Sequence, residues 1–172
     1  GIYFIAVQIS LAINFITGAF ASAYSPWLME KLSKPDSLQN IKVVQGHYLY
    51  YIALLIIAVI MHLSSPWLFL VVGEDFRSAS SLVIYLALGQ AFTGMYLTLS
   101  IYILYSNKTT YLSLLTIVSG IFNVILMYVF IDHNGLIGAA QAFMISMMLR
   151  FFAAWYLANK FQPMPWIKPL KS

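Results

Sequence analysis

The residue most out of keeping with its surroundings is Arg150. It stands near the middle of "GLIGAAQAFMISMMLRFFAAWYLANK", Gly135 to Lys160, a stretch that is otherwise nearly all apolar. A guanidinium is permanently charged and presents its N–H donors in a planar fork that suits phosphate oxygens. An arginine at the centre of a lone membrane helix costs roughly 2.5–3.5 kcal/mol, less when it can reach an interface. Its helical neighbours Ala139, Phe143, Ser146, Ala153 and Leu157 include three small residues, a surface suited to packing on protein rather than lipid. Arg150 is therefore expected to point inward, toward carbonyls, Asn or Gln partners, or a solvated lumen. Structural glue and contact with an anionic ligand are both open. Two further pairs can do chemistry of a milder kind: Asn14 and Thr17 in one apolar run, Gln90 and Thr93 in another. Amides and hydroxyls donate and accept hydrogen bonds.

Other chemistries have no foothold. The chain has no cysteine, which excludes disulfides, thiolate metal sites and cysteine nucleophiles. His47, His62 and His133 are far apart, without metal-ligand spacing, and no cofactor is implied. All five acidic residues (Glu30, Asp36, Glu74, Asp75 and Asp132) fall in joints or at the ends of apolar runs. A carboxylate relay for protons or sodium ions therefore has no place within a membrane core here.

The elements that must position these groups are set by composition. Hydrophobic residues make up 62% of the 172 and charged residues 8%, against about 45–50% and about 25% in soluble domains. Lipid is the expected solvent, and the expected fold is all-α and polytopic. Five runs reach the roughly 20 apolar residues that a bilayer crossing needs: 2–24, 43–63, 79–105, 111–131 and 136–158. Turn and breaker residues, among them Pro26, Pro35, Pro66, Gly73, Asn107, Asn134 and Gly135, mark the joints. The joint "SSPWLFLVVG" reads as an interfacial or re-entrant edge.

Polar and small residues recur at helical spacing. Ser10, Asn14, Thr17, Gly18, Ala21 and Ser25 share one face, as do Gln90, Thr93, Leu97 and Ser100, with Gly89 and Gly94 nearby. Ser113, Thr116, Gly120 and Asn123 form a third stripe. Such faces meet protein or water. For the first two, a polar cavity wall and simple helix packing are both open; for the third, close helix approach is the expectation.

Charge sets the orientation. Lys31, Lys34, Lys42, Lys108, Lys160, Lys168 and Lys171 fall on one side of a five-span arrangement, and Arg77 alone on the other. The positive-inside rule makes the lysine side cytoplasmic. The +4 charge is thus an orientation signal and implies no nucleic-acid partner. Tyr48, Tyr50, Tyr51, Trp67, Trp155 and Tyr156 fit an aromatic belt at headgroup depth. The "NKT" sequon at Asn107 then lies on the cytoplasmic side, where it would not be glycosylated. Gly1 in place of Met, with no charged segment before the first run, suggests a piece of a longer protein.

In order along the chain, "GIYFIAVQIS", "AYSPWLMEKLSK", "LVVGEDFRSAS", "LYSNKTTYLS" and "NVILMYVFIDHNGLIGAAQAFMIS" resemble motifs of bacterial polysaccharide exporters of the O-antigen flippase (Wzx-like) type. These belong to the multidrug/oligosaccharidyl-lipid/polysaccharide transporter superfamily. The last motif is the most specific, although Asp132 stands where the family usually has proline. The resemblance implies two six-helix lobes that rock to give alternating access, with this chain supplying five helices of the C-terminal lobe over residues 1–159 and a cytoplasmic tail over 160–172. It also implies an N-terminal lobe as partner and the bacterial inner membrane as location. The implied cargo is an undecaprenyl-diphosphate-linked oligosaccharide, with Arg150 facing the diphosphate and Asn14, Thr17, Gln90 and Thr93 facing sugar. The protein would be a transporter and not an enzyme. Two alternatives stand beside it: a drug or cation antiporter of the same superfamily, and a membrane polymerase or ligase of the same pathway. The antiporter would want an intramembrane carboxylate; the enzyme would want a long external loop with an acid–base pair. An isolated piece without its opposing lobe would be inactive.

Overall fold

The computed structural model describes residues 1–34, 36–72 and 80–167. Among them the chain is all-helical, with four helices: α1 (Ile2–Ser33), α2 (Ser37–Val72), α3 (Ser80–Tyr105) and α4 (Thr109–Phe161). Each is long and apolar enough to cross a membrane. The expected count of five separate helices is corrected to four, because 111–131 and 136–158 fall in one 53-residue helical element.

That element is not straight. Gly135 has φ 56° and ψ −134°, a left-handed backbone that only glycine adopts without strain. The chain doubles back there: a Cβ at Gly138 would strike the Phe130 carbonyl. Arg150 bonds Thr116, 34 residues earlier, where a straight helix would hold them about 50 Å apart at 1.5 Å rise per residue. Residues 109–134 and 136–161 are therefore two limbs lying side by side. Helix continues through Asp132, His133 and Asn134, and a bond from Asn134 Nδ2 to Gln141 Oε1 (3.1 Å) spans the bend.

Two prolines expected as joints lie inside helices. α1 runs through Pro26 and α2 through Pro66, so the "SSPWLFLVVG" edge continues α2 as far as Val72. Proline removes the hydrogen bond to the carbonyl four residues back. At Pro66 that carbonyl belongs to His62, and the Ser65 hydroxyl donates to it at 2.7 Å. A side chain that takes over the freed acceptor lets the helix continue in an apolar medium. Pro35 and the segment "GEDFRSA", which holds Gly73, Glu74, Asp75, Arg77 and the first residue expected for the third span, lie outside the described residues, as do Lys168 and Lys171.

α3 is the axis of the bundle and packs against all three other helices. Residues on all sides of it, among them Leu82, Val83, Leu86, Ala91, Leu99 and Tyr102, are buried. The exterior is apolar: Phe15 is 77% exposed and Leu49 71%. A surface of that kind needs lipid around it. The described lysines gather at one end. The Tyr111 and Phe161 rings meet there at a tilt, centroids 5.0 Å apart, beside Lys108 and Lys160. Leu28, Leu32, Val43 and Ala158 share one core cluster beside Lys31, Lys34 and Lys42.

Candidate functional site

The five residues expected to meet a ligand divide between two seams of α3. On the α1 side, Asn14 Nδ2 donates to Gln90 Oε1 at 2.9 Å, so these two amides pair across the helices. Thr17, one turn on, is fully buried, and its hydroxyl donates to the Asn14 carbonyl at 3.0 Å. The backbones come close because Gly94 faces it: a Cβ there would collide with the Thr17 side chain. Thr93 likewise spends its proton on its own helix, donating to the Gly89 carbonyl at 3.0 Å. The stripe on α1 thus faces protein, with Ser10 and Thr17 buried and Asn14, Gly18, Ala21 and Ser25 half-buried.

Arg150 sits elsewhere, between the limbs of α4 and the Tyr96 edge of α3. Its Nη2 donates to the Thr116 hydroxyl at 2.9 Å, and its guanidinium carbon lies 3.9 Å from the centre of the Tyr96 ring. A cation over an aromatic face gains about 0.5–2 kcal/mol, more as water is excluded. The partners are thus a hydroxyl and a ring, not the carbonyls, Asn or Gln expected. Arg150 Nε is buried without an acceptor, Ser146 Oγ on the same limb is buried without a partner, and Asn123 Oδ1 on the opposite limb is buried without a donor. Among the described residues no carboxylate pairs with the guanidinium; the ion pair formed there is Lys34–Glu30, at 3.2 Å on the surface. A cleft of about 220 Å³ opens beside Arg150, with Ser119 and Ser146 on its walls between Leu115, Phe122 and Ala153. The limb carrying Thr116 is loosely held. Ser113, Thr116 and Gly120 are exposed, and nothing comes within 4 Å of a Cβ at Gly120, so the close approach expected of that stripe is missing at Gly120, while Asn123 further along is half-buried.

A third group escaped the sequence reading. At the lysine-bearing end, His47 is 2% exposed and ringed by Tyr24, Tyr51, Tyr102 and Trp166, with centroids 5.6–5.8 Å away. The tail reaches back to close this end, where the Tyr48 hydroxyl donates to the Trp166 carbonyl at 2.7 Å. Tyr51, expected in a headgroup belt, is instead core, its hydroxyl 3.2 Å from Thr98 Oγ1. Tyr50 turns inward too and stacks on Phe20 at 4.3 Å. Trp67, Trp155 and Tyr156 are exposed. The only sequence signal for the cluster was the density of aromatics at 48–51 opposite Phe20, Tyr24 and Trp27.

Compared with protein-family models, curated proteins and solved structures, the chain matches none.

Proposed function

We propose that the chain forms part of a bacterial inner-membrane transporter that moves a lipid-linked oligosaccharide diphosphate from the cytoplasmic to the periplasmic leaflet. The observation that carries this reading is Arg150. It is a permanent cation within an apolar helix, braced by Tyr96 and Thr116, with a buried donor still free beside a cleft. Oxygens of a diphosphate are the acceptors such a fork fits best, and a low-dielectric setting strengthens the attraction. Tyr96 and Thr116 hold the guanidinium without neutralising it, which a carboxylate partner would do. The resemblance to polysaccharide exporters points to the same cargo. Asn14 and Gln90 then hold α1 on α3 while the cargo passes, and contact sugar only if their mutual bond opens.

Export of surface polysaccharide in cells that depend on this protein tests the reading. Arg150→Gln should reduce export at least tenfold while leaving membrane insertion unchanged, and Arg150→Lys should retain part of it. Full export by both Arg150→Gln and Arg150→Leu would sink the proposal. Orientation has its own test, because a chain without cysteine gives clean single-cysteine reporters. With lysines facing the cytoplasm, an impermeant maleimide added to intact cells should label Asp132→Cys and spare Lys34→Cys. The reverse pattern would invert the topology.

A further inference from the structure

The aromatic cleft at the lysine-bearing end has walls, a floor and unspent polar atoms that no part of the transport reading uses. It has a volume of about 220 Å³ and lies between α1, which supplies Phe20, Tyr24 and Trp27, and α2, which supplies Lys42, His47 and Tyr50. The two helices touch little and splay around it. On its floor His47 Nδ1 lies 2.9 Å from the Val43 carbonyl. A carbonyl can only accept, so Nδ1 carries the proton and the neutral ring presents Nε2 as a lone-pair acceptor. That Nε2 is buried and has no donor, and the Tyr50 hydroxyl beside the same cleft is buried without a partner too. Tyr102 and Trp166, packed against the imidazole, make no hydrogen bond to it, and the Tyr102 hydroxyl and Trp166 Nε1 are buried without partners as well. Buried polar groups are nearly always paired, and His47 and Tyr50, each with a polar atom left over, both line this cleft.

The lining narrows what the cleft can hold. An acyl chain fills apolar space and leaves both polar atoms as they are. Water needs two to four polar partners to stay in a cavity, and most of the wall here is ring. A metal ion finds no group of His, Cys, Asp or Glu ligands among the described residues. A sugar ring offers the matching chemistry: C–H faces for the aromatic rings, one hydroxyl able to donate to His47 Nε2 and another able to accept from Tyr50. Lys42 stands exposed at the mouth, five residues before His47 and so about 7–8 Å along the helix at 1.5 Å per residue. That position suits an anionic group attached to the ring.

We propose that this cleft binds one sugar ring joined to a phosphate, with the ring between the α1 and α2 aromatics and the phosphate at Lys42. The proposal rests on the transport reading in giving the cargo's sugar a holding site, separate from Arg150, at the lysine-bearing end. Arg150 variants in the export assay interrogate transport alone, whereas ring binding in a bilayer disc needs no transport, so either idea can fail while the other stands.

The test is saturation-transfer NMR on the protein in phosphatidylcholine nanodiscs. The probes are the methyl glycosides and 1-phosphates of glucose, galactose, mannose and N-acetylglucosamine, with inorganic phosphate as control. At least one sugar should take up saturation at its ring C–H protons, with its 1-phosphate binding more tightly than its glycoside. Lys42→Gln should erase that difference. His47→Phe should abolish the signal. Tyr50→Phe, which removes one hydroxyl and no volume, should weaken binding about fivefold and keeps the test decisive if His47→Phe misfolds. No transfer to any sugar, or transfer unmoved by Tyr50→Phe, would overturn the proposal. So would displacement of every sugar by phosphatidylglycerol in the disc, which would mark a lipid-headgroup site.

Discussion

The two seams of α3 use polar residues in opposite ways. On the α1 seam the polar side chains bond within the protein: Asn14 to Gln90, Thr17 to the Asn14 carbonyl, with Gly94 bringing the backbones together. On the α4 seam Arg150 keeps a buried donor free, beside an open cleft and a limb with little packed against it. A membrane protein gains cohesion from polar groups that pair and small residues that allow approach. It gains a binding site from polar groups that are held in place and left incomplete. Burial alone does not separate the two cases; the ledger of donors and acceptors does.

The sharpest way to break the contrast is Gly94→Val. Extra carbons forced into a packed interface cost about 1–3 kcal/mol. Here the obstacle is the short, buried Thr17 side chain, which cannot swing away. A clear fall in the detergent-solubilised melting temperature is expected. Gly89 offers the companion measurement. A Cβ there meets the ring of Phe143 on α4, the far end of a longer side chain, so Gly89→Val should cost less. Equal costs at the two glycines would show that the seams are equally tight.

A smaller effect sharpens the chemistry of the tight seam. Asn14→Leu and Gln90→Leu, alone and together, form a double-mutant cycle. Interhelical side-chain bonds in membranes couple by about 0.6 kcal/mol on average and reach about 1.7. The expected coupling lies in that range, with the double variant less impaired than the two single changes summed. Strict additivity would mean that the amides act separately, and the cavity-wall reading of Asn14 and Gln90 would regain ground.

Sequence periodicity showed which face of α1 turns inward, and it singled out Arg150, because an i, i+3, i+4 stripe and a lone charge are local properties; on α3 it did not, since residues on all sides are buried and Thr93, Leu97 and Ser100 of the expected stripe are only half-buried. What it could not show was pairing. That Gln90 meets Asn14, and that Arg150 meets Thr116 and Tyr96, depends on the register between helices. The prolines misled for a related reason. Pro66 reads as a breaker, yet Ser65 caps the freed carbonyl from within the same turn. Gly135 was recognised as a joint, but the backbone around it stays helical up to the glycine on both sides, so two expected helices form one bent element. His47 escaped because its surroundings come from three helices and the tail, and its own neighbours look like a membrane-interface belt.

The smallest expected effect lies on the loose limb and tests the contrast from its other side. Gly120 sits on the same stripe as Thr116, and a Cβ there meets nothing within 4 Å. A packing glycine replaced by alanine destabilises; an exposed helical glycine replaced by alanine is neutral or stabilises by up to about 1 kcal/mol. Gly120→Ala should therefore leave the melting temperature unchanged or raise it slightly, while the same change at Gly94 lowers it. If Gly120→Ala destabilises the protein, the limb of residues 109–134 rests against a surface that this chain does not supply. The Arg150 cleft would then be a closed packing seam like the one at Asn14. If it does not, the limb is free to shift relative to its partner, and the cleft can widen around a bulky anionic head without disturbing the α1–α3 contact.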